Sequence, residues 1–380
     1  MRFHFLALIA VAACGPLGPP KNDAGSGGGG FGFGGGFATG GGTTGGGSTT
    51  GGGGATGGGG MTGGGSTTGG GAGLPPLTWA AMGISGVTSN SYIIGFSGAA
   101  NDLWAVQDTG HLFHSTGGAF TRHFAFQYGA RDLYASGGTV VMIQTRSIRT
   151  CVAPSPCTQD SDFQQLDLLN SGMNWNFFGE ALCGRGPNDI TAIVSDTTNN
   201  ALLFTWNGTS WSRGPSLGIA YPQACWFDAN GGLYVSGQDA VLFYDQGAGS
   251  LATLSSNFTG YNRGAVVDGT SWLSGPYDYV ARGTGTSFTP VVPIGGGGNQ
   301  LLWTVGGLRS DEVFALGYYQ ATNAVGIGFK WNGTQLRPVG NLIPGFGQGA
   351  TARVIHVTEP NELFVAGGDS SGPLITRGRR

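Results

Sequence analysis

Lysine is nearly missing from this sequence: Lys21 and Lys330 are the only two in 380 residues. Charged residues make up 10% of the chain, the formal net charge is -3, and the one basic run is the terminal Arg-Gly-Arg-Arg. The electrostatic footprint of a nucleic-acid binder is therefore absent. No stretch shows convincing helical periodicity, and no apolar run is long enough to span a bilayer as a helix. No Cys-x-x-Cys pair or histidine cluster offers a zinc site. His111, His114, His123 and His356 are scattered, and the first two are three apart on an expected strand, which aims them at opposite faces. The reading assigns neither metal nor cofactor.

What the chain does have begins at its N-terminus. "MRFHFLALIAVAACG" carries one basic residue, a short apolar run and then small residues, which is the layout of a secretory signal. Val11-Ala12-Ala13-Cys14 resembles the lipobox of bacterial lipoprotein signal peptides. That resemblance implies cleavage after residue 13, diacylglyceryl transfer to Cys14 and an exported chain held on the membrane by its lipid. Gly15 stands where an inner-membrane retention aspartate would be, so outer-membrane or cell-surface placement is expected, with a periplasm-facing position as the alternative. With Cys14 set aside, Cys151, Cys157, Cys183 and Cys225 form an even set able to pair outside the cytosol.

From Gly25 to Gly73 the chain is almost wholly Gly, Thr, Ser and Ala. Such a segment cannot bury enough apolar surface to offset its ordering entropy. Residues 14–73 are therefore expected to be a disordered tether, with a random-coil reach of about 45 Å from Cys14 to Leu77. A phosphate cradle is excluded, because no strand precedes these glycines and no Gly-Lys-Ser/Thr follows.

Residues 74–380 change texture to short β-prone runs punctuated by Gly, Asn and Asp. A core recurs as "NDLWAV", "RDLYAS", "NDITAI", "GGLYVS", "GTSWLS", "DEVFAL" and "NELFVA", centred on Trp104, Tyr134, Thr191, Tyr234, Trp272, Phe314 and Phe364. The mean spacing of about 43 residues is that of one propeller blade. Together with "TWNGTSW" at 205–211 and "KWNGTQL" at 330–336, these cores resemble the repeats of exported bacterial β-propellers. The expected fold is all-β: a seven-bladed β-propeller of four-stranded antiparallel blades. The last repeat ends one strand short, so Leu77–Met82 is expected to supply the missing strand and close the ring. Blade two is expected to carry an insertion between about residues 139 and 160, holding Cys151 and Cys157. In the same frame Cys183 and Cys225 sit at equivalent points of adjacent innermost strands, where a cross-blade disulfide requires Cα atoms within about 7 Å.

Catalytic signatures are thin. Asp102, Asp189, Asp311 and Glu362 fall at repeat-equivalent turns, where capping the chain reversal explains them. "GPSLG" at 214 and "GDSSG" at 368 lack the strand-to-helix context of a nucleophile elbow. Recognition is the better fit, because the irregular loops gather on one face of the ring, the Cys151–Cys157 insertion among them, and loops on a rigid scaffold commonly carry binding. Tyr261, Arg263, Tyr277, Tyr318 and Tyr319 are the candidate contacts, by stacking or as hot spots. The expectation is a monomeric, lipid-anchored, non-enzymatic module binding a protein or a carbohydrate. An envelope enzyme working on glycans through the central channel and a structural envelope lipoprotein are the alternatives.

Overall fold

The computed structural model describes residues 75–87, 90–168, 178–196, 198–238, 240–254, 263–291, 300–319, 328–340, 342–347 and 349–380, except the side chains of residues 300 and 319. The expected signal peptide, Cys14 and the glycine-rich segment expected to be a tether lie outside the described residues. Seven four-stranded antiparallel sheets follow one another along the chain. In each, the strands pair in order from an innermost strand at the ring axis to an outermost one, as in a propeller blade. The innermost strands are Ile93–Ala99, Ala130–Ser136, Phe178–Gly186, Ala224–Phe227, Arg263–Val267, Gln300–Arg309 and Thr351–Glu359. The second strands are Asp102–Gln107, Thr139–Gln144, Asp189–Ser195, Leu233–Ser236, Thr270–Ser274, Glu312–Tyr319 and Glu362–Asp369.

The ring closes as expected. Thr78–Ala81 is the outermost strand of blade seven, antiparallel to Gly372–Arg379, with Thr78 opposite Arg379 and Ala81 opposite Thr376. Beside it, Leu77 and Trp79 pack with Phe314, Leu316 and Leu363.

The apolar cores lie between the blades. Side chains of a second strand alternate, and both sets are buried. In blade one, Leu103 and Ala105 pack toward blade seven with Phe364 and Ala366, while Trp104 and Val106 pack toward blade two with Leu133 and Met142. Blade six does the same: Val313 and Ala315 face Trp272 of blade five, and Phe314 and Leu316 face Leu363 and Val365 of blade seven. Burial on both faces is why these runs are continuously apolar. The outer tryptophans extend the same interfaces. Trp211 donates its Nε1 hydrogen to Thr150 Oγ1 of blade two at 2.8 Å, and Trp331 lies 5.7 Å from Trp272 of blade five.

Blade two corrects the repeat alignment. Tyr134 belongs to its innermost strand; the second strand is "TVVMIQ", and Val141 occupies the position equivalent to Trp104. The confusion is physical, because "RDLYAS" and "TVVMIQ" are both strand-forming and only Gly137 and Gly138, at φ 54° and 80°, separate them. Residues 139–152 are thus regular second and third strands, not an insertion. The additional chain is the link from the third strand, Ser147–Val152, to the fourth, Gln164–Asp167, and it contains the Cys151–Cys157 disulfide.

Cys183 and Cys225 are disulfide-bonded across blades three and four, with Cα atoms 5.7 Å apart. Thr191, the polar member of the aligned core positions, lies directly opposite Cys183. The disulfide thus ties a blade pair whose aligned core position is polar.

The turn carboxylates do more than cap a reversal. Register places Asp102, Asp189, Glu312 and Glu362 at the same point; Asp311 is one residue early and pairs with Arg309. Glu312 and Glu362 are buried and reach cations on the third strand, Lys330 at 2.7 Å and Arg377 respectively. Those cations lie over the core aromatics, Lys330 at 5.3 Å from Phe314 and Arg377 at 5.9 Å from Phe364. In blade one His114 takes the cation's place, bonded to Asp102 and stacked on Trp104 at 4.1 Å.

The innermost strands also touch across the closing seam. His356 of blade seven bonds through Nε2 to the Gly98 carbonyl of blade one at 2.7 Å. Burial holds its pKa below the ordinary value. The folded chain thus keeps this ring neutral while the unfolded chain would protonate it. Its contribution to stability is complete above about pH 6.5 and is lost as the pH falls below that.

Two outcomes follow for purified protein. Deleting residues 75–82 removes Leu77, Trp79 and the closing strand, and is expected to cost at least about 3–5 kcal/mol in denaturant titrations. An unchanged midpoint would contradict closure by this strand. Thermal midpoints are expected to fall from pH 7 to pH 5, less steeply in His356→Asn than in the parent. Burial lowers the His111 and His123 pKa values as well, so the slope shrinks without vanishing.

Candidate functional site

Chain direction sorts the loops. Each innermost strand starts on one face, here called upper, so links from second to third strands and from blade to blade lie there. Turns from first to second and from third to fourth strands lie on the lower face. The Cys151–Cys157 link is therefore a lower-face element, contrary to its expected grouping with the irregular loops. The two Asn-Gly turns share that lower face. Asn207 Oδ1 accepts from the backbone N–H groups of Thr209 and Ser210, Asn332 Oδ1 does so from Thr334 and Gln335, and Gly208 and Gly333 take φ of 94° and 92°. The turn chemistry explains the sequon.

Near the upper ends of five innermost strands the ladder contains an extra residue: Ile94, Arg131, Glu180, Trp303 and Arg353. A bulge opposes two residues to one and re-aims the side chains beside it. Of the five, Arg353 lines the ring axis and lies over Trp303, whereas Ile94 packs against the core between blades one and two.

A cavity of about 320 Å³ runs along that axis, lined by residues of all seven innermost strands. Its ionisable groups are Asp132, Arg263, Arg353 and His356, with Tyr134 beside them. Asp132 accepts from the backbone N–H of Leu133 at 2.8 Å and of Leu182, on the next blade, at 3.0 Å. Burial nevertheless pushes its carboxyl pKa above the usual value, against the pull of Arg263 and these two bonds. Arg353 lies over Trp303 at 4.3 Å and over Tyr92 at 5.5 Å. Burial, and then repulsion from Arg263, lowers its pKa.

Exposed aromatics gather on the upper face. Tyr128, Phe178, Tyr221, Tyr277 and Tyr318 are the strongly exposed aromatic side chains among the described residues, and all five lie on the upper face. Tyr277 is 76% exposed. It and Asp278 form the centre of a hairpin turn with φ of 58° and 59°, closed by the Tyr279 N–H donating to Pro276 O. Left-handed backbone at a tyrosine costs about 1–2 kcal/mol, since only Gly and Asn adopt it readily. Tyr221, 51% exposed, is left-handed too, at φ 49°. Two exposed aromatics are thus presented by unfavourable backbone.

The sequence-derived candidates divide accordingly. Arg263 starts the innermost strand of blade five and lines the cavity. Tyr277 and Tyr318 come together at the rim between blades five and six, because Leu301 is opposite Tyr318 and also bridges Pro276. Tyr319 ends the same strand as Tyr318, and Tyr261 lies outside the described residues. Arg353, Trp303, Tyr92, Tyr128 and Tyr221 were not among the candidates. The bulges that aim Arg353 and Trp303 have no sequence signature, but Tyr128 and Tyr221 flanked by Gly or Pro between blade cores were a usable signal.

The sequence matches no protein family and no curated protein. The fold is similar to solved structures. YCF48 from Cyanidioschyzon merolae superposes with a TM-score of 0.58 at 14% identity, over 78% of this chain and 98% of that one. A structure of YCF48 bound to D1 peptide gives a TM-score of 0.58 at 12% identity, over 80% of this chain and 97% of that one. These likenesses establish a β-propeller.

Proposed function

We propose that this chain is an exported, lipid-anchored binding module that docks a segment of another protein on the upper face of its propeller. The observation that carries the reading is the confinement of the exposed aromatics Tyr128, Phe178, Tyr221, Tyr277 and Tyr318 to the upper face, the face on which the Arg263 end of the axial cavity lies. Tyrosine is enriched among interface hot spots because it brings large contact area at small entropic cost. The cavity supplies polar groups for orientation beside that collar, the usual composition of a recognition site. A protein of the same fold, YCF48, has been captured with a peptide bound. Disulfides at Cys151–Cys157 and Cys183–Cys225 accord with export to an oxidising compartment. Among the described residues no helix is long and apolar enough to cross a membrane. The lipobox-like Val11-Ala12-Ala13-Cys14 supports anchoring through a lipid on Cys14, with the glycine-rich segment as spacer.

An enzymatic reading finds less support. The Ser216 of "GPSLG" lies within an outermost strand, Trp211–Ala220, and the Ser370 of "GDSSG" lies in a tight hairpin held by Asp369. Among the described residues neither serine is hydrogen-bonded to a histidine or carboxylate base.

Pull-downs from envelope extract with immobilised protein test the reading. Combined Tyr128→Ser, Tyr221→Ser and Tyr277→Ser changes are expected to abolish capture of the retained protein with little effect on melting. Leu251→Ser and Val357→Ser, away from this face, are expected to leave it intact. Equal capture by the two sets would contradict the assignment. For the anchor, Cys14→Ser is expected to eliminate labelled palmitate incorporation, and retained label would refute it.

A further inference from the structure

The axial cavity contains an unbalanced pair of cations. Arg263 and Arg353 line it from blades five and seven, and between them Thr304 of blade six accepts the Ile355 N–H at 3.1 Å. Among the described residues, the ion pairs include neither guanidinium, and Arg353 Nε has no hydrogen-bond partner. The other charged group of the lining, Asp132, is held by two backbone N–H groups. The half-buried His356 has its pKa lowered by desolvation, and its ring is bonded to Gly98 O. Two guanidiniums thus face a single carboxyl, so cations are in excess in a space of about 320 Å³. Asp108, outside the lining, attracts Arg353 less strongly than Arg263 repels it.

A guanidinium is committed to its charge and presents a planar fork of donors that fits a carboxylate. Packing over Trp303 and Tyr92 fixes the plane of Arg353, so little further ordering is needed when an anion arrives. A carboxylate meets that fork with two coplanar oxygens and brings a single negative charge beside Asp132, where phosphate would bring nearly two.

We propose that Arg263 and Arg353 together form a carboxylate seat at the mouth of the channel, and that a carboxylate of the docked protein segment occupies it. The proposal rests on the docking reading for its source of ligand; the seat itself is a property of the cavity. Both an acidic side chain and a chain terminus supply this group. The tyrosine collar beside the mouth favours a peptide over a free small acid, because it offers contact area to the residues flanking the carboxylate.

Calorimetric titration of the purified full chain separates the possibilities. The probes are an acetylated, amidated tetrapeptide with one glutamate, its glutamine counterpart, an acetylated tetrapeptide with only a terminal carboxylate, galacturonate, acetate and phosphate. At least one carboxylate peptide is expected to bind ten-fold or more tightly than the neutral one, and which of the two does so identifies the source. Arg263→Gln and Arg353→Gln are each expected to weaken it by about 10–100-fold, the worth of a charge-assisted hydrogen bond. Arg263→Lys and Arg353→Lys recover part of the loss, and lower-face Arg309→Gln changes nothing. Melting curves for each variant separate lost binding from lost folding, and the Lys variants keep the test open if a Gln variant unfolds. Equal affinity for the glutamate and glutamine peptides, or phosphate displacing acetate, overturns the seat. Galacturonate binding without any peptide binding overturns the peptide as its occupant. Arginine-dependent acetate binding with no protein captured by the tyrosine face would uphold the seat and remove the docking reading.

Discussion

Second-strand side chains in this propeller alternate between two apolar cores, one shared with the preceding blade and one with the following blade. No blade has a core of its own, so a blade without neighbours would expose two apolar faces. The only arrangement that buries every such face is a closed ring, and closure is what the Thr78–Ala81 strand accomplishes against Gly372–Arg379. The disulfide between Cys183 and Cys225 and the His356–Gly98 bond fasten neighbouring innermost strands within that ring. Each is a local tie acting on contacts already forced by the packing.

Closure also creates the site. Seven innermost strands brought around one axis leave a central space, and residues far apart in sequence, Asp132, Arg263 and Arg353, meet along it. Because all seven strands run the same way, their starts and the blade-to-blade links share a face, and exposed Tyr128, Tyr221, Tyr277 and Tyr318 lie on it. The lower face is occupied by tight reversals whose residues are spent on their own turns, Asn207-Gly208 and Asn332-Gly333 above all. Such turns spend their polar groups on their own reversals.

Much of the architecture was legible because a repeat with doubly buried strands imposes a pattern: Leu103 to Val106, Val313 to Leu316 and Leu363 to Ala366 are continuous apolar runs at blade spacing. The pattern failed at Tyr134, where two strand-forming runs are separated only by Gly137-Gly138 and either reads as a core. It failed for the Cys151–Cys157 link through an error of strand count that moved it to the wrong face. In the site, Arg263 was identifiable as a charge entering a β-prone run, and Tyr277 as an aromatic in a turn. Arg353 and Trp303 were not, since a bulge shifts side-chain direction by one residue while leaving composition unchanged. Side chains that depend on such irregularities are visible only once the register is known.

The central claim is that one face of the ring is built for recognition and the other for chain reversal. Hydrogen exchange of the purified chain with and without its captured partner tests this most directly, since amides covered by a docked segment slow their exchange. The account predicts added protection at residues 127–131, 220–224 and 275–279 and at the starts of the innermost strands at 263–265 and 352–354. The hairpins at 207–210 and 332–335 should exchange as before. Protection confined to those hairpins, with the upper face unchanged, would contradict it.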